Sequence, residues 1–293
     1  MSVGLAPRPA LDLRVAAAMA RRELLRWRRD RTQIFGGLSR TTLWLVILGF
    51  GLGATLREIE GYSYAQYILP GVVTLNVLFA SMQSAMAIVW DRHTGLMREI
   101  LVSPAPMASV ALGKVVGGAL VAVLQGSIPL AFAPLVGLPL TVPGLLLAWA
   151  VMFAMAVFLT GMGVVVAVRL RTLESFGAVS NGVIQPLYFL SGAIFPLKGI
   201  VGGVGFLDIP APLREELRRV GVHAIGGGWV VELPAWLEAL VYANPVSHHL
   251  DLLRGVLLGF HQLPFGATLA VTLVSPPLAV AAAAWSMARM RDG

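Results

Sequence analysis

Few residues in this chain are of a type that does chemistry, and their spacing decides what they can do. One Gly-Lys pair stands at Gly113-Lys114. A phosphate-binding loop reads G-x-x-x-x-G-K-[ST]: backbone N–H groups cradle the phosphates, the lysine reaches them and the hydroxyl holds Mg. Here Val115 follows the lysine and the pair opens an apolar stretch, so no ATP hydrolysis is expected from this chain. His223, His248, His249 and His261 lack companions at metal-ligand spacing and read as scattered surface histidines, so no metal site is expected. Neither H-E-x-x-H nor G-x-S-x-G occurs, which leaves a metalloprotease or an esterase unsupported. Cysteine is absent, so there is no disulfide framework and no thiolate site. No catalytic residue and no cofactor on this chain are expected.

What remains is polar and aromatic groups set in apolar stretches: Trp44, Asn76, Gln83, Gln125, Asn181, Gln185, Tyr188 and Phe189. They read either as the lining of a substrate path or as polar contacts between helices. The stretches that hold them define the class of protein. The chain has 293 residues, 57% hydrophobic and 13% charged, too little charge to cover a soluble surface. Six stretches, at about 36–56, 67–90, 110–137, 143–168, 177–197 and 266–287, approach or exceed the roughly 20 apolar residues that cross a hydrocarbon core. The fold class expected is an all-α polytopic membrane protein. The first 30 residues lack the apolar core of a signal peptide, so the first span is expected to serve as the targeting signal.

Residues 11–31 place Leu13, Ala17, Ala20, Leu24 and Trp27 on one helical stripe and Arg14, Arg21, Arg22, Arg26, Arg28 and Arg29 opposite. That pattern suits a helix lying in a membrane interface with arginines toward anionic headgroups, or one packed on another domain. Residues 233–259 are apolar enough to suggest a further span. Asn244-Pro245 interrupts them, and His248, His249, Asp251 and Arg254 would be costly at bilayer depth. Two short helices that dip into one leaflet or lie on it fit better: an external re-entrant hairpin between spans 5 and 6. The stretch Asp208–Val220 reads as a short external helix, and the glycines at 226–228 as a loop.

With six spans, 16 of the 22 Lys and Arg fall on the side of the N-terminus. The positive-inside rule then puts both termini in the cytoplasm and residues 198–265 outside. The net charge of +7 is on this reading a topology signal, and nucleic acid is not an expected partner. The spans contain no Asp or Glu, which argues against an ion-coupled carrier because such carriers place ionisable groups at bilayer depth. That carrier or channel, working without an ATPase, stays as the alternative function, and a membrane scaffold as a third.

Residues 91–107 form the most informative loop. Gly95 allows a turn, Leu96–Val102 form a short helix, and Ser103-Pro104-Ala105-Pro106 ends it. Arg98 and Glu99 face the cytosol, while Leu96, Ile100 and Leu101 face a partner or the membrane. The helix is either an ordinary amphipathic one or a lever that passes motion from a cytosolic partner into the membrane.

The loop and the start of the third span, HTGLMREILVSPAPMASVALGKVVGGALVAVLQ, resemble the corresponding region of type-2 ABC transporter permeases. Three further stretches agree in the family's order: GYSYAQYILPGVV at Gly61–Val73, QPLYFLSGAIFPL at Gln185–Leu197 and LPAWLEALVYANPVSHHLDLLRGVLLG at Leu233–Gly259. Members of that family are named for export of nodulation factors, polysaccharides and drugs. The resemblance implies an exporter of an amphiphilic substrate (lipid, glycolipid or drug) in the cytoplasmic, or inner, membrane. It implies a dimer of permease chains served by two copies of a cytosolic ATPase subunit that binds ATP and Mg. Arg92, Thr94, Gly95, Arg98, Glu99, Leu101 and Pro104 would couple to that ATPase, and Arg21, Arg22, Glu23, Arg26 and Trp27 would belong to the interface helix. Two features depart from the family: His93-Thr94-Gly95 stands where many members have an acidic residue before a Gly-Thr pair, and Lys198–Glu232 is longer than the usual connection.

Overall fold

The computed structural model describes residues 11–52, 59, 61–194, 197, 200–201, 222–225, 228–231 and 235–292. Helix α1, Leu13–Arg29, starts where the Asp12 carboxylate accepts the Arg14 N–H. Asp30 ends it and begins α2, Arg31–Trp44, which runs on as a π-helical stretch, Leu45–Leu52. Helix α3, Tyr64–His93, begins three residues before the expected span, because Ser63 and Gln66 form a reciprocal capping box there. Gly95 turns the chain at φ +82°, and α4 is Leu96–Val102, with the bounds the sequence suggests.

Helix α5, Met107–Leu130, is followed by a 3-10 turn, Ala133–Val136, and α6 is Val142–Arg169. Then come α7, Leu173–Val179, a π-turn, Ser180–Ile184, and α8, Gln185–Leu190. A small antiparallel sheet of β1 (Ile200–Val201), β2 (Val222–Ile225) and β3 (Gly228–Val231) comes next, in the order β1-β3-β2, with Ile200 opposite Val230 and Val222 opposite Val231. Among the described residues the bundle is helical, and this small sheet departs from the expected all-α fold. The expected helix at 208–220 lies outside the described residues. Helices α9 (Ala235–Ala243), α10 (Pro245–Leu258) and α11 (Phe265–Asp292) complete the fold.

Among the described residues, four helical segments are long and apolar enough to cross a membrane: Tyr64–His93, Met107–Val136, Val142–Arg169 and Phe265–Met290. Together α3, α5 and α6 hold the core, with α11 against α5 and α6. Small residues let these helices meet. Gly118 faces Ser84 and Thr160, and Gly163 faces Ala85, each too closely for a side chain. In the other two expected spans, the described residues up to Leu52 and from Leu173 to Leu190 are helical and include π-helical stretches at Leu45–Leu52 and Ser180–Ile184.

The Asn244-Pro245 break is present. The Asn244 carboxamide accepts the Val246 N–H at 3.0 Å and donates to the Leu187 carbonyl at 2.7 Å. Helix α10 then packs against α3, α6, α8 and α11, and its polar residues are interior. His248 and His249 are therefore buried, contrary to the surface placement expected. Each finds its partners close at hand: His248 meets the Tyr242 carbonyl at 2.9 Å, and His249 meets the Pro245 carbonyl at 2.8 Å and stacks on Phe158. Arg254 is fully buried; it donates to Gln262 and to the Gly192 carbonyl, each at 2.9 Å, and lies 4.5 Å over the Tyr67 ring. Asp251 accepts the Gln262 and Leu263 N–H groups and pairs with His261 at 3.1 Å. Among the described residues no group of three potential metal ligands occurs.

Candidate functional site

One end of the bundle gathers α1, α4, the C-terminal turns of α3, α6 and α11, and the start of α5. Each is brought there by identifiable groups. Helix α1 lies on α5 along a seam of small residues: Gly113 meets Ala16 and Met19, and Gly117 meets Ala20 and Glu23. The Asp12 N–H also donates to the Ser109 hydroxyl at 2.6 Å.

Asp91 and Arg92, consecutive in the last turn of α3, reach different helices. The Arg92 guanidinium donates to the Leu170 carbonyl at 2.7 Å and the Ala167 carbonyl at 3.3 Å. It thus caps the C-terminal end of α6, where carbonyls lack helical partners. Asp91 accepts Arg22 of α1 on one oxygen and Lys114 of α5 on the other, both at 2.7 Å, and Lys114 lies 3.6 Å from Glu23. Asp91, Lys114 and Glu23 are all buried.

These anchors leave α4 projecting from the bundle on two rooted sides. Met97 and Ile100 point into the core, so Ile100 faces the chain's own interior rather than a partner or the membrane. It does so because the turn at Gly95 rotates that side of α4 onto α3. Leu96 and Leu101 pack partly against the same core. Arg98, Glu99, Val102 and Pro104 are exposed, and the Thr94 hydroxyl caps the Trp90 carbonyl at 3.2 Å.

On α1, Arg21, Arg22, Leu25, Arg26 and Arg29 line an open groove ending at Asp30. Trp27 sits half-buried in the elbow between α1 and α2, beside Gln33, Gln83 and Ser84. Asp30 stands at that elbow. Hydrogen bonds, above all from the Thr32 hydroxyl, hold its carboxyl below the usual carboxylate range against a weaker opposing effect of burial.

The expected path residues separate into two groups. Asn76, Gln125 and Tyr188 are buried between helices. Asn76 donates to the Thr41 hydroxyl at 3.2 Å, Gln125 abuts Gly37, and the Tyr188 hydroxyl donates to the Gly71 carbonyl at 3.2 Å. Trp44 and Gln83 are half-buried. Asn181 and Phe189 are exposed and Gln185 half-exposed, on a side of the α7–α8 run that the chain leaves uncovered.

Sequence reasoning missed the ion network around Asp91 and Lys114. Its signal was present: a lone Lys in the apolar run of α5, a lone Asp beside Trp90 and the one acid within the arginine-rich α1. Nothing local shows that three such residues, far apart in the chain, converge.

Known proteins are similar to this chain in sequence. Nodulation protein J of Azorhizobium caulinodans is 26% identical over 240 residues, covering 78% of this chain and 91% of that protein. The inner membrane transport permease YadH of Escherichia coli strain K12 is 25% identical over 243 residues, covering 80% of this chain and 78% of that one. Nodulation protein J of Rhizobium leguminosarum bv. viciae is 24% identical over 260 residues, with 88% and 87% covered. The ABC-2 type transporter family itself matches residues 15–207, from the first turn of α1 through the α4 loop and past α8. Carrying that match over most of its length, the chain is a member of the ABC-2 type transporter family.

Proposed function

We propose that this chain is the permease subunit of an ATP-driven exporter that moves an amphiphilic substrate out across the inner membrane. Two copies form the path, and two copies of a cytosolic ATPase subunit, holding ATP and Mg, drive it. Each copy crosses the membrane six times: the four long helices, the α2 run through Leu52 and the α7–α8 run. Both termini are cytoplasmic, which agrees with α1 and the end of α11 lying at the same end of the bundle. Helices α9 and α10 form the re-entrant hairpin. Support comes from the Tyr62 hydroxyl on the Leu258 carbonyl at one end of α10 and from His249 on Phe158 deeper in.

The observation that carries the reading is the mounting of α4. It is rooted by Met97 and Ile100, bounded by Gly95 and Pro104, and presents Arg98, Glu99 and Val102 outward, at the end of the bundle where α1 also lies. That suits a lever. Nucleotide binding that favours one arrangement of the ATPase pair would push the lever and shift the permease between two states. The inner-membrane setting follows the name of the Escherichia coli relative. The ion-coupled alternative needs an acidic group open to an ion, and Asp251, the acid buried in α10, already accepts two N–H groups and pairs with His261.

The test is to co-express the chain with a candidate ABC ATPase subunit of the same genome, purify the pair and measure ATP turnover in lipid. The pair should assemble, and Glu99→Ala or Gly95→Pro should uncouple turnover from the permease without preventing assembly. Turnover that stays normally coupled in both variants would remove the lever role from α4.

A further inference from the structure

The ion network at the base of α4 joins parts of the chain that the backbone does not. Arg22 and Asp91 lie 69 positions apart in sequence, and Lys114 lies 23 beyond Asp91. The network holds two cations and two carboxylates. The side chains of Lys114, Asp91 and Glu23 are 3%, 4% and 6% exposed, and that of Arg22 is 32% exposed. Burying such ions gains little stability over well-packed apolar groups, because desolvation offsets their attraction. What charge-assisted hydrogen bonds supply is direction. The α1–α5 seam of Gly113 and Gly117 against Ala16 and Ala20 is smooth and sets only a distance. Helix α1 could slide or roll along it. The Arg22–Asp91 contact at 2.7 Å ties α1 to α3, the Lys114–Asp91 contact at 2.7 Å ties α3 to α5, and together with the Asp12 N–H on the Ser109 hydroxyl they hold α1 against both motions. Asp91 is in turn joined to α4 by a short stretch, the end of α3 and the turn at Gly95.

We propose that Asp91 is a positioning residue that bolts the interface helix α1 to the coupling helix α4, so that both ATPase-facing elements move as one body. Lys114 is the cross-member that holds Asp91 and Glu23 together. The inference rests on the coupling reading for its purpose, but its content is a fixed geometry that can be measured separately.

The chain has no cysteine, so Ala18→Cys on α1 and Val102→Cys on α4, both exposed positions, give two spin-label sites in one permease copy, which is assembled with an excess of unlabelled permease and a cysteine-free ATPase so that only the distance within one copy is read. Their separation is measured by pulsed electron resonance in the full complex with its ATPase. It is read both nucleotide-free and trapped with ATP and vanadate. With the network intact, one narrow distance is expected, unchanged between the two states. Asp91→Asn in that background should broaden it and make it shift on trapping, Lys114→Met should do the same, and Asp91→Glu should restore the narrow distribution. Glu23→Gln should have a smaller effect, since its contact is the 3.6 Å one.

A separation that shifts on trapping with the network intact would overturn the proposal. So would a distribution unmoved by both Asp91→Asn and Lys114→Met. Should Asp91→Asn fail to fold, Lys114→Met and Glu23→Gln carry the decision. If instead the coupling reading is at fault, ATP turnover will ignore Glu99→Ala and Gly95→Pro while the distance measurement still reports on the bolt.

Discussion

Asp30 belongs to two helices at once. Its backbone N–H closes α1 on the Arg26 and Trp27 carbonyls, and its carboxylate opens α2 by accepting the Thr32 hydroxyl and the N–H groups of Thr32 and Gln33. Replacing such a cap with alanine costs about 1 kcal/mol. Those hydrogen bonds, the Thr32 hydroxyl foremost, set the carboxyl's folded value below its unfolded one. The stabilisation is therefore complete above the unfolded value of about 4 and disappears as pH falls through the folded value. Asp30→Ala should lower the Tm of the detergent-solubilised chain at neutral pH, and the deficit should close on acidification. A deficit as large in strong acid as at neutral pH would show that the carboxylate is not the cap. The sequence alone does not mark this residue as a cap, since residues 11–31 read as one continuous helix. It does not offer Arg254 or Lys114 as buried. Nothing local marks Arg254, because whether a guanidinium meets water or the Tyr67 ring is decided by which helix packs opposite.

At the scale of the element, α4 and the long spans were legible because their signals are local. A glycine that turns, a proline that ends and a long apolar run depend on nothing distant. The π-helical stretches at Leu45–Leu52 and Ser180–Ile184 were not legible, since an extra residue in a helical turn leaves apolar composition unchanged. Nor was the inward face of α1. The sequence placed Leu13, Ala17 and Ala20 on its apolar stripe; Leu13 and Ala17 are exposed, while Ala20 meets α5 together with Ala16, Met19 and Glu23, which lay off the stripe. The reason is that close approach selects small side chains over greasy ones. A Cβ added at Gly117 would stand 2.7 Å from the Ala20 Cα, which is backbone and cannot yield. Gly117→Leu should therefore lift α1 from α5 and strain the contacts of Arg22 with Asp91. Proteolysis within α1 by trypsin, which has arginines to cut at, should be faster in the variant than in a control such as Leu124→Ala, a position exposed on the same helix. Equal cleavage rates would mean that the seam does not hold α1.

At the scale of the whole molecule, one side of the α7–α8 run is left uncovered. Asn181 and Phe189 are exposed there with Gly182 and Val183 between them, and Gln185 is partly so. Lipid offers no partner to a carboxamide, so polar side chains at bilayer depth turn toward protein or a water-filled path. By contrast the outward residues of α11 include Leu269, Leu273, Val274 and Leu278, which acyl chains can cover without cost. In the proposed two-copy assembly this face would lie between the copies, and the α11 face would meet lipid. Because the chain has no cysteine, a single Asn181→Cys in membranes gives a clean assay: a short bismaleimide should produce a dimer band. Leu273→Cys, 65% exposed, should remain monomeric under the same treatment. Cross-linking of Leu273→Cys with none at Asn181→Cys would put lipid on the polar face and exchange the two assignments. A path between copies would then have to be built from α11, whose outward residues hold little to orient a polar headgroup.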